Sequence, residues 1–388
     1  MTGDVKIMVL AGEPSGDIHG SHLCRELRDL YPGVNIFGMG GEEMEKSGVE
    51  LVQRIGRTGV VGFWEVFKDI GRYRKIFKRL VAIMEERSPD AVILIDYPGF
   101  NIRFARRAHN QGIKVIYYIS PQLWAWGRWR VKKIRRSVDK MVVIFPFEKD
   151  FYANYGVDAV FVGHPLVGNL NLSLGKEECR RRLGIEGSPV IGLLPGSRKS
   201  EVEKILPVLL KTAGILREHL SEAVLLLPVA SPALRPLVEE IVRLSPVEIN
   251  LLEERGQEIL AASDLLILAS GTVTLEAAVF ATPMIIVYRL NFFSWISARL
   301  LVTLPYIGLV NIVAGKKIVP EFIQYQARPA RIARVALKIL GRPEIREEMI
   351  RELALASEKL GKPGAGRRAA REILQIIIPD YSSRIRDE

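Results

Sequence analysis

Cysteine is almost missing from this chain: of 388 residues only Cys24 and Cys179 are thiols, far apart and in unrelated surroundings. That excludes a disulfide framework and a cysteine-based metal cluster, and it fits a reducing compartment. Histidine is scarce as well, at five residues. His19 and His22 have i, i+3 spacing, but no third ligand stands nearby, so no metal is expected. Short-period repeats and low-complexity segments are absent, which excludes solenoids and disordered arrays. The G-x-G-x-x-G spacing of dinucleotide-binding turns is missing too. Its nearest approach, GMGGEE at 38–43, puts Glu43 where the third glycine belongs, leaving a nicotinamide-dependent oxidoreductase little support. No apolar run spans a bilayer: FFSWISARLLVTLPYIGLV at 292–310 comes closest, but Arg299 and Pro305 interrupt it, which predicts an interfacial or acyl-chain-facing surface. The start, MTGDVKIMVLAGEPSGD, shows no basic segment followed by a long apolar stretch, so no signal peptide is expected.

What the chain does have is positive charge, a net +11. Nucleic acid, anionic lipid and phosphorylated substrates all qualify as the partner. Two stretches share one design, IMVLAGEPSGDIHGSHL at 7–23 and VIGLLPGSRKSEVEKILP at 190–207. Each is an apolar run, a glycine-bearing turn and a segment able to start a helix, the local pattern of a buried parallel strand feeding a phosphate-binding helix N-terminus. Strands are predicted at 5–10, 34–37, 91–95, 114–119, 141–144 and 159–162. After a polar junction at 169–187 they resume at 190–194, 223–227, 249–252, 265–268 and 284–287. Such alternation with helical stretches predicts an α/β protein with parallel sheets, two doubly wound Rossmann-like domains facing one cleft. The expected limits are 1–168, 169–345 and a helical segment 346–388.

Ligands of such sheets bind at the carboxyl ends of the strands. Asp96 follows AVILI, in IDYPGFN, as either a general base or the cap of the next helix. Glu13, Ser15, Gly16 and Asp17 fill the first loop, which is too acidic for a pure phosphate cradle and suits sugar hydroxyls. In LLPGSRKSEVEKILP, Gly196 and Ser197 expose backbone donors and Arg198 offers a planar fork to a diphosphate. LILASGTVTLEAAVF adds a Ser270-Gly271-Thr272 turn and Glu276, placed to accept both hydroxyls of a ribose. Together these turns point to a nucleoside diphosphate.

Residues 62–84 place Phe63, Phe67, Ile70, Phe77 and Leu80 near one helical face, with Trp64 beside them and lysines and arginines interspersed. A basic amphipathic helix either lies on an anionic membrane or packs onto a core. ISPQLWAWGRWRVKKIRRSVDKM interleaves Trp124, Trp126 and Trp129 with six basic residues between Arg128 and Arg136. Bases could stack there, but no nucleic-acid module surrounds the run, and a sugar phosphate or lipid phosphate needs the same chemistry.

Taken together, AGEPSGDIHGSHL, GMGGEEMEKSGVE, IDYPGFN, YYISPQLWAWGRWRVKKI, VIFPFEKDFY, VGHPL, LPGSRKSEVEKILP, SGTVTLEAAVFATPMIIVYR and LVNIVAGKKIVPEFIQ resemble the bacterial lipid-A-disaccharide synthases, almost from end to end. Pro14 departs from the small residue more usual there. The resemblance implies the GT-B architecture, with the C-terminal helix returning to the first domain, and an inverting, metal-independent transfer without a cofactor. The implied donor is UDP-2,3-diacylglucosamine, a substrate, and the acceptor is 2,3-diacylglucosamine 1-phosphate. It further implies Asp96 and Arg198 as catalytic residues, with Asn311, Glu321 and Gln324 lining the donor site. A peripheral enzyme on the cytoplasmic face of the inner membrane is expected, with no nucleic-acid partner; a homodimer is compatible with it. A UDP-GlcNAc 2-epimerase or another UDP-sugar enzyme of the same architecture is the alternative.

Overall fold

The computed structural model describes residues 5–55, 70–171, 173, 175–253, 255–290, 304–378 and 381, with the Ile70 side chain left out. The chain forms two compact units, Met1–Gly168 with Gly361–Glu388, and Asn169–Leu360.

In the first unit the strands are β1 (Lys6–Ala11), β2 (Asn35–Gly40), β3 (Glu50–Arg54), β4 (Ala91–Ile95), β5 (Lys114–Tyr118), β6 (Lys140–Val143) and β7 (Ala159–Phe161). They form one sheet in the order β3-β2-β1-β4-β5-β6-β7, every pairing parallel. The central strands are continuous apolar runs; all five residues of β4 are buried. A parallel strand covered by helices on both faces demands this composition. Helices α1 (Pro14–Leu30), α2 (Glu42–Lys46), α3 (Ile70–Arg87), α4 (Pro98–Asn110), α5 (Val131–Arg135) and α6 (Pro146–Ala153) run between the strands. Proline opens α1, α4 and α6, where its missing N–H costs nothing and its fixed φ suits the first turn.

The second unit repeats the plan with β8 (Val190–Leu194), β9 (Val224–Val229), β10 (Asn250–Glu253), β11 (Leu265–Ala269), β12 (Met284–Tyr288) and β13 (Glu321–Ile323), ordered β10-β9-β8-β11-β12-β13. The helices that matter below are α7 (Lys199–His219), α8 (Val273–Val279), α9 (Leu309–Ala314), α10 (Pro329–Gly341) and α11 (Pro343–Glu358). The last helix, α12 (Ala365–Ile377), packs on α1 of the first unit. Arg368 donates to the Val162 carbonyl at 2.8 Å, and Arg367 pairs with Glu26 at 3.4 Å.

Four features differ from the sequence reading. The limit drawn at 345/346 falls inside α11, which stays in the second unit; Leu353 is buried there and Glu352 pairs with Lys316. The chain returns to the first unit only from Gly361, whose φ of +83° makes the turn. β3 and β13 escaped notice because ELVQR and EFI are short edge segments with little apolar patterning. Phe77, assigned to a membrane face, is half-buried with its ring 5.3 Å from Phe100 and 5.8 Å from Phe104, and Leu80 is fully buried. That side of α3 therefore packs on the core. Phe63, Trp64 and Phe67 lie outside the described residues, as does 292–303. Among the described residues, no helix is long and apolar enough to cross a membrane.

Candidate active site

Strand order reverses in both sheets, between β1 and β4 in the first and between β8 and β11 in the second. At such a switch point the loops leaving two neighbouring strands diverge to opposite faces and leave a crevice at the carboxyl edge. Ala11 is in register with Ile95, so Gly12-Glu13 and Asp96-Tyr97 leave the first sheet side by side. Leu194 is in register with Leu268, so the Pro195-Gly196-Ser197-Arg198 and Ser270-Gly271-Thr272 turns stand together in the second.

At the first point Asp96 and Tyr97 both adopt left-handed backbone, φ +44° and +48°. Non-glycine residues hold such angles only under surrounding constraint. Here the Asp96 carbonyl accepts from Asn101 Nδ2 at 2.8 Å and from the Tyr117 hydroxyl. The Tyr97 ring lies against Gly12, where a Cβ would stand 2.1 Å from Tyr97 Cδ1. The cap reading of Asp96 does not hold: the N-cap of α4 is Tyr97, and no side chain caps that helix. Burial, then the Glu13 carboxylate, raise the Asp96 carboxyl to about 6, against a weaker opposing bond from the Tyr97 N–H.

The first loop divides. Glu13 is half-buried and Ser15 exposed, whereas Gly16 and Asp17 are buried on α1. Asp17, read as a sugar acceptor, accepts instead from the backbone N–H groups of Gly41, Glu43 and Met44 at 2.7, 3.0 and 3.1 Å. It serves as the cap of α2. His164 is buried and His19 half-buried, and loss of hydration holds each at about 4, hence neutral. His164 Nδ1 accepts from the Leu166 N–H, which puts the proton on Nε2.

The second switch point opens into a cavity of about 920 Å³ lined by Gly196, Ser197, Arg198, Glu201, Ser270, Gly271, Thr272 and Glu276. The structure thus brings together every residue read from the two turns. The Arg198 side chain is 72% exposed in the cavity lining, with its Nη1 3.5 Å from Glu201 Oε1. Glu276 is half-buried at the cavity wall, and burial raises its carboxyl.

Two expectations change here. The Ser197 amide, read as an open donor, is taken by Glu201 Oε2 at 3.1 Å, and the Arg198 amide by the same oxygen at 3.3 Å. Gly196, at φ +110°, is required for this: a Cβ there would meet Glu201 Oε2 at 2.3 Å. Glu201 is three residues after the N-cap, the spacing at which a glutamate reaches back to the first amides, so the signal was legible. Ser270 Oγ likewise donates to the Ile307 carbonyl at 3.1 Å.

Asn311, Glu321 and Gln324, expected to line the donor site, are internal braces. Glu321 accepts from the Ile307 N–H, the Gly308 N–H and Asn311 Nδ2 at 3.0, 2.9 and 2.8 Å. Asn311 is fully buried, and its Oδ1 accepts from the Ile318 and Val319 N–H groups. Gln324 exchanges two hydrogen bonds with the Leu290 backbone. Buried polar groups need such partners, and these three hold the segment around α9 to the end of β12.

The tryptophan run also separates. Trp124 is buried, its Nε1 donating to Glu148 at 2.9 Å, and Glu148 also accepts from the Ser120 hydroxyl and the Ile144 and Phe145 N–H groups. Glu148 was not singled out in the sequence. Trp126 is half-buried and Trp129 is 63% exposed, with the Arg130 guanidinium 5.0 and 5.3 Å from their rings.

A family model described as lipid-A-disaccharide synthetase matches residues 7–364. Among similar proteins, the lipid-A-disaccharide synthase of Syntrophus aciditrophicus is 42% identical over 96% of this chain and 97% of its own. That of Geobacter sulfurreducens is 40% identical with the same coverage. Among solved structures, a putative UDP-N-acetylglucosamine 2-epimerase from Listeria monocytogenes superposes with a TM-score of 0.66 at 13% identity, covering 97% of both chains. Acinetobacter baumannii MurG superposes at 0.58 and 15% identity, over 96% of this chain and 99% of that one. At these identities the structures speak for the fold alone, the two-domain GT-B plan.

Proposed function

The chain belongs to the lipid-A-disaccharide synthase family, and we propose that its first unit handles the acceptor while its second holds the UDP-sugar. It is a glycosyltransferase joining UDP-2,3-diacylglucosamine to 2,3-diacylglucosamine 1-phosphate, giving the β-1,6-linked disaccharide 1-phosphate and UDP. The acceptor 6-hydroxyl oxygen attacks the donor anomeric carbon. The bond from that carbon to the diphosphate oxygen breaks, and its electron pair leaves with UDP. Asp96 takes the hydroxyl proton; a carboxyl raised to about 6 is a better base than an ordinary aspartate and is still ionised at neutral pH.

Arg198 neutralises the charge that builds on the leaving diphosphate, and Glu276 accepts from the ribose hydroxyls. The observation that carries this reading is the cavity at the ends of β8 and β11, which sets an exposed arginine, held by Glu201 at 3.5 Å, and the Glu276 carboxylate in one lining. Substrates that are both acylated and anionic account for the net positive charge. Exposed Arg74, Lys75, Lys78 and Arg79 on α3 support peripheral attachment to the anionic cytoplasmic face of the inner membrane. Two buried free cysteines fit that reducing side.

The test is UDP release from diacylated UDP-glucosamine with and without diacylglucosamine 1-phosphate, with mass spectrometry of the products. Acceptor-dependent release with a tetra-acylated disaccharide is expected; well-folded, UDP-binding protein that makes none would return the substrate to the non-acylated UDP-sugars. Arg198→Ala should weaken UDP at least about tenfold and slow turnover by roughly 10²–10³. Calorimetric titration with UDP checks the first, and an unchanged UDP affinity would remove Arg198 from the diphosphate.

A further inference from the structure

A second cavity, of about 600 Å³, lies wholly in the first unit between α4 and the segment ending in α5. Arg103, Arg106, Arg107, Arg130, Lys133 and Arg136 line it, and among the described residues no carboxylate does. Among the described residues, none of these six forms an ion pair, although Arg54, Arg87, Lys140 and Arg180 of the same protein all have carboxylate partners. Like charges gathered around one hollow repel one another until an anion enters it. The exposed Trp129 ring carries Arg130 and Lys133 against it at 5.3 and 5.1 Å, which holds both cations at the rim.

One end of the cavity is close in the chain to the proposed base. Pro98 and Gly99, the opening of α4, form one end of its lining, two and three residues beyond Asp96. A Cβ at Gly99 would meet nothing within 4 Å, so the wall is open there. We propose that this basic cavity binds the phosphomonoester of the acceptor sugar. A phosphomonoester carries close to two negative charges at neutral pH and presents three acceptor oxygens, which suits several converging guanidinium forks. Membrane phosphodiesters carry one charge each and offer two free oxygens, which leaves more of these cations without a partner than a phosphomonoester does. Phe77 on the wall gives an apolar flank to the start of an acyl chain. This assignment rests on the reading of the acceptor as a phosphorylated sugar and extends it to a specific site.

The test is the double variant Arg106→Ala/Arg136→Ala, both exposed positions, in the full-length enzyme. Its kcat/KM is measured for diacylglucosamine with and without the 1-phosphate. Binding of soluble glucosamine 1-phosphate is followed separately by phosphorus NMR, and sedimentation with phosphatidylglycerol vesicles is run alongside. The preference for the phosphorylated acceptor should fall at least about tenfold, the loss expected for two charge-assisted contacts, and glucosamine 1-phosphate binding should fall with it. Equal slowing on both acceptors with the NMR binding intact would overturn the proposal. So would loss of vesicle binding at an unchanged acceptor preference, which would make the cavity a membrane contact. If wild-type enzyme makes no disaccharide, the transferase reading fails, and the NMR comparison still decides the site.

Discussion

Asp96→Asn is expected to lower kcat by roughly 10²–10⁴, the range supplied by a positioned base, with UDP affinity retained. Asparagine is nearly isosteric and tolerates the left-handed region as well as aspartate does, so the φ of +44° does not break the variant. The Asp96 carbonyl keeps its bonds from Asn101 and Tyr117. Wild-type kcat/KM should fall about tenfold per pH unit below an apparent pKa near 6, because protonation removes the base. Stability should move the other way. The folded-state value of about 6 lies above the ordinary 3.8, so this group favours folding below 3.8 and loses that contribution as pH rises through 6. Ionised Asp96 therefore costs the fold up to about 3 kcal/mol at neutral pH, and the asparagine variant should be more resistant to denaturant. A loss of less than tenfold with the acid limb still present would make Asp96 a residue that only orients the acceptor.

Glu148→Ala is expected to destabilise the first unit by about 3 kcal/mol or more, since it strands four donors in the interior. Denaturant titration measures it. The pH response separates charge from packing. Burial raises Glu148 to about 7 against its own hydrogen bonds, so it favours folding below 4.5 and loses that as pH rises through 7. His19 and His164, held near 4, act in the opposite sense: their contribution is complete above 6.5 and is lost as pH falls toward 4. The two slopes offset in the wild type. Glu148→Gln removes one of them, so the variant should lose stability faster than the wild type between pH 6.5 and 4.5. Identical slopes would show that Glu148 does not change ionisation on folding.

The turn chemistry was legible because it is local. Proline at the first helical position, glycine at the GSR turn and an apolar run before each loop are statements about neighbours in the chain, and they located Asp96, Arg198, Ser270 and Glu276 at the strand ends. What a carboxylate or amide does with its lone pairs is a different question, answered by residues far away in sequence. Asp17 is spent on an α2 that begins 25 residues later, and Asn311 and Glu321 are spent on each other. All three read as ligand-facing polar residues, yet burial obliges them to find internal partners first. Glu201 sits close enough to the GSR turn to be found, but its capture of the Ser197 and Arg198 amides is a competition that only the folded geometry resolves.

Strand alternation determined by itself that this is an α/β protein with parallel sheets, because a strand buried on both faces must be apolar throughout, and that is visible in any window of five residues. Only the tertiary structure decided which strands are neighbours. The order β2-β1-β4 and its counterpart β9-β8-β11 put the Asp96 loop beside the Glu13 loop and the GSR turn beside the SGT turn. Strand order depends on how helices pack across a sheet between segments 74 and 84 residues apart, and no local pattern encodes it.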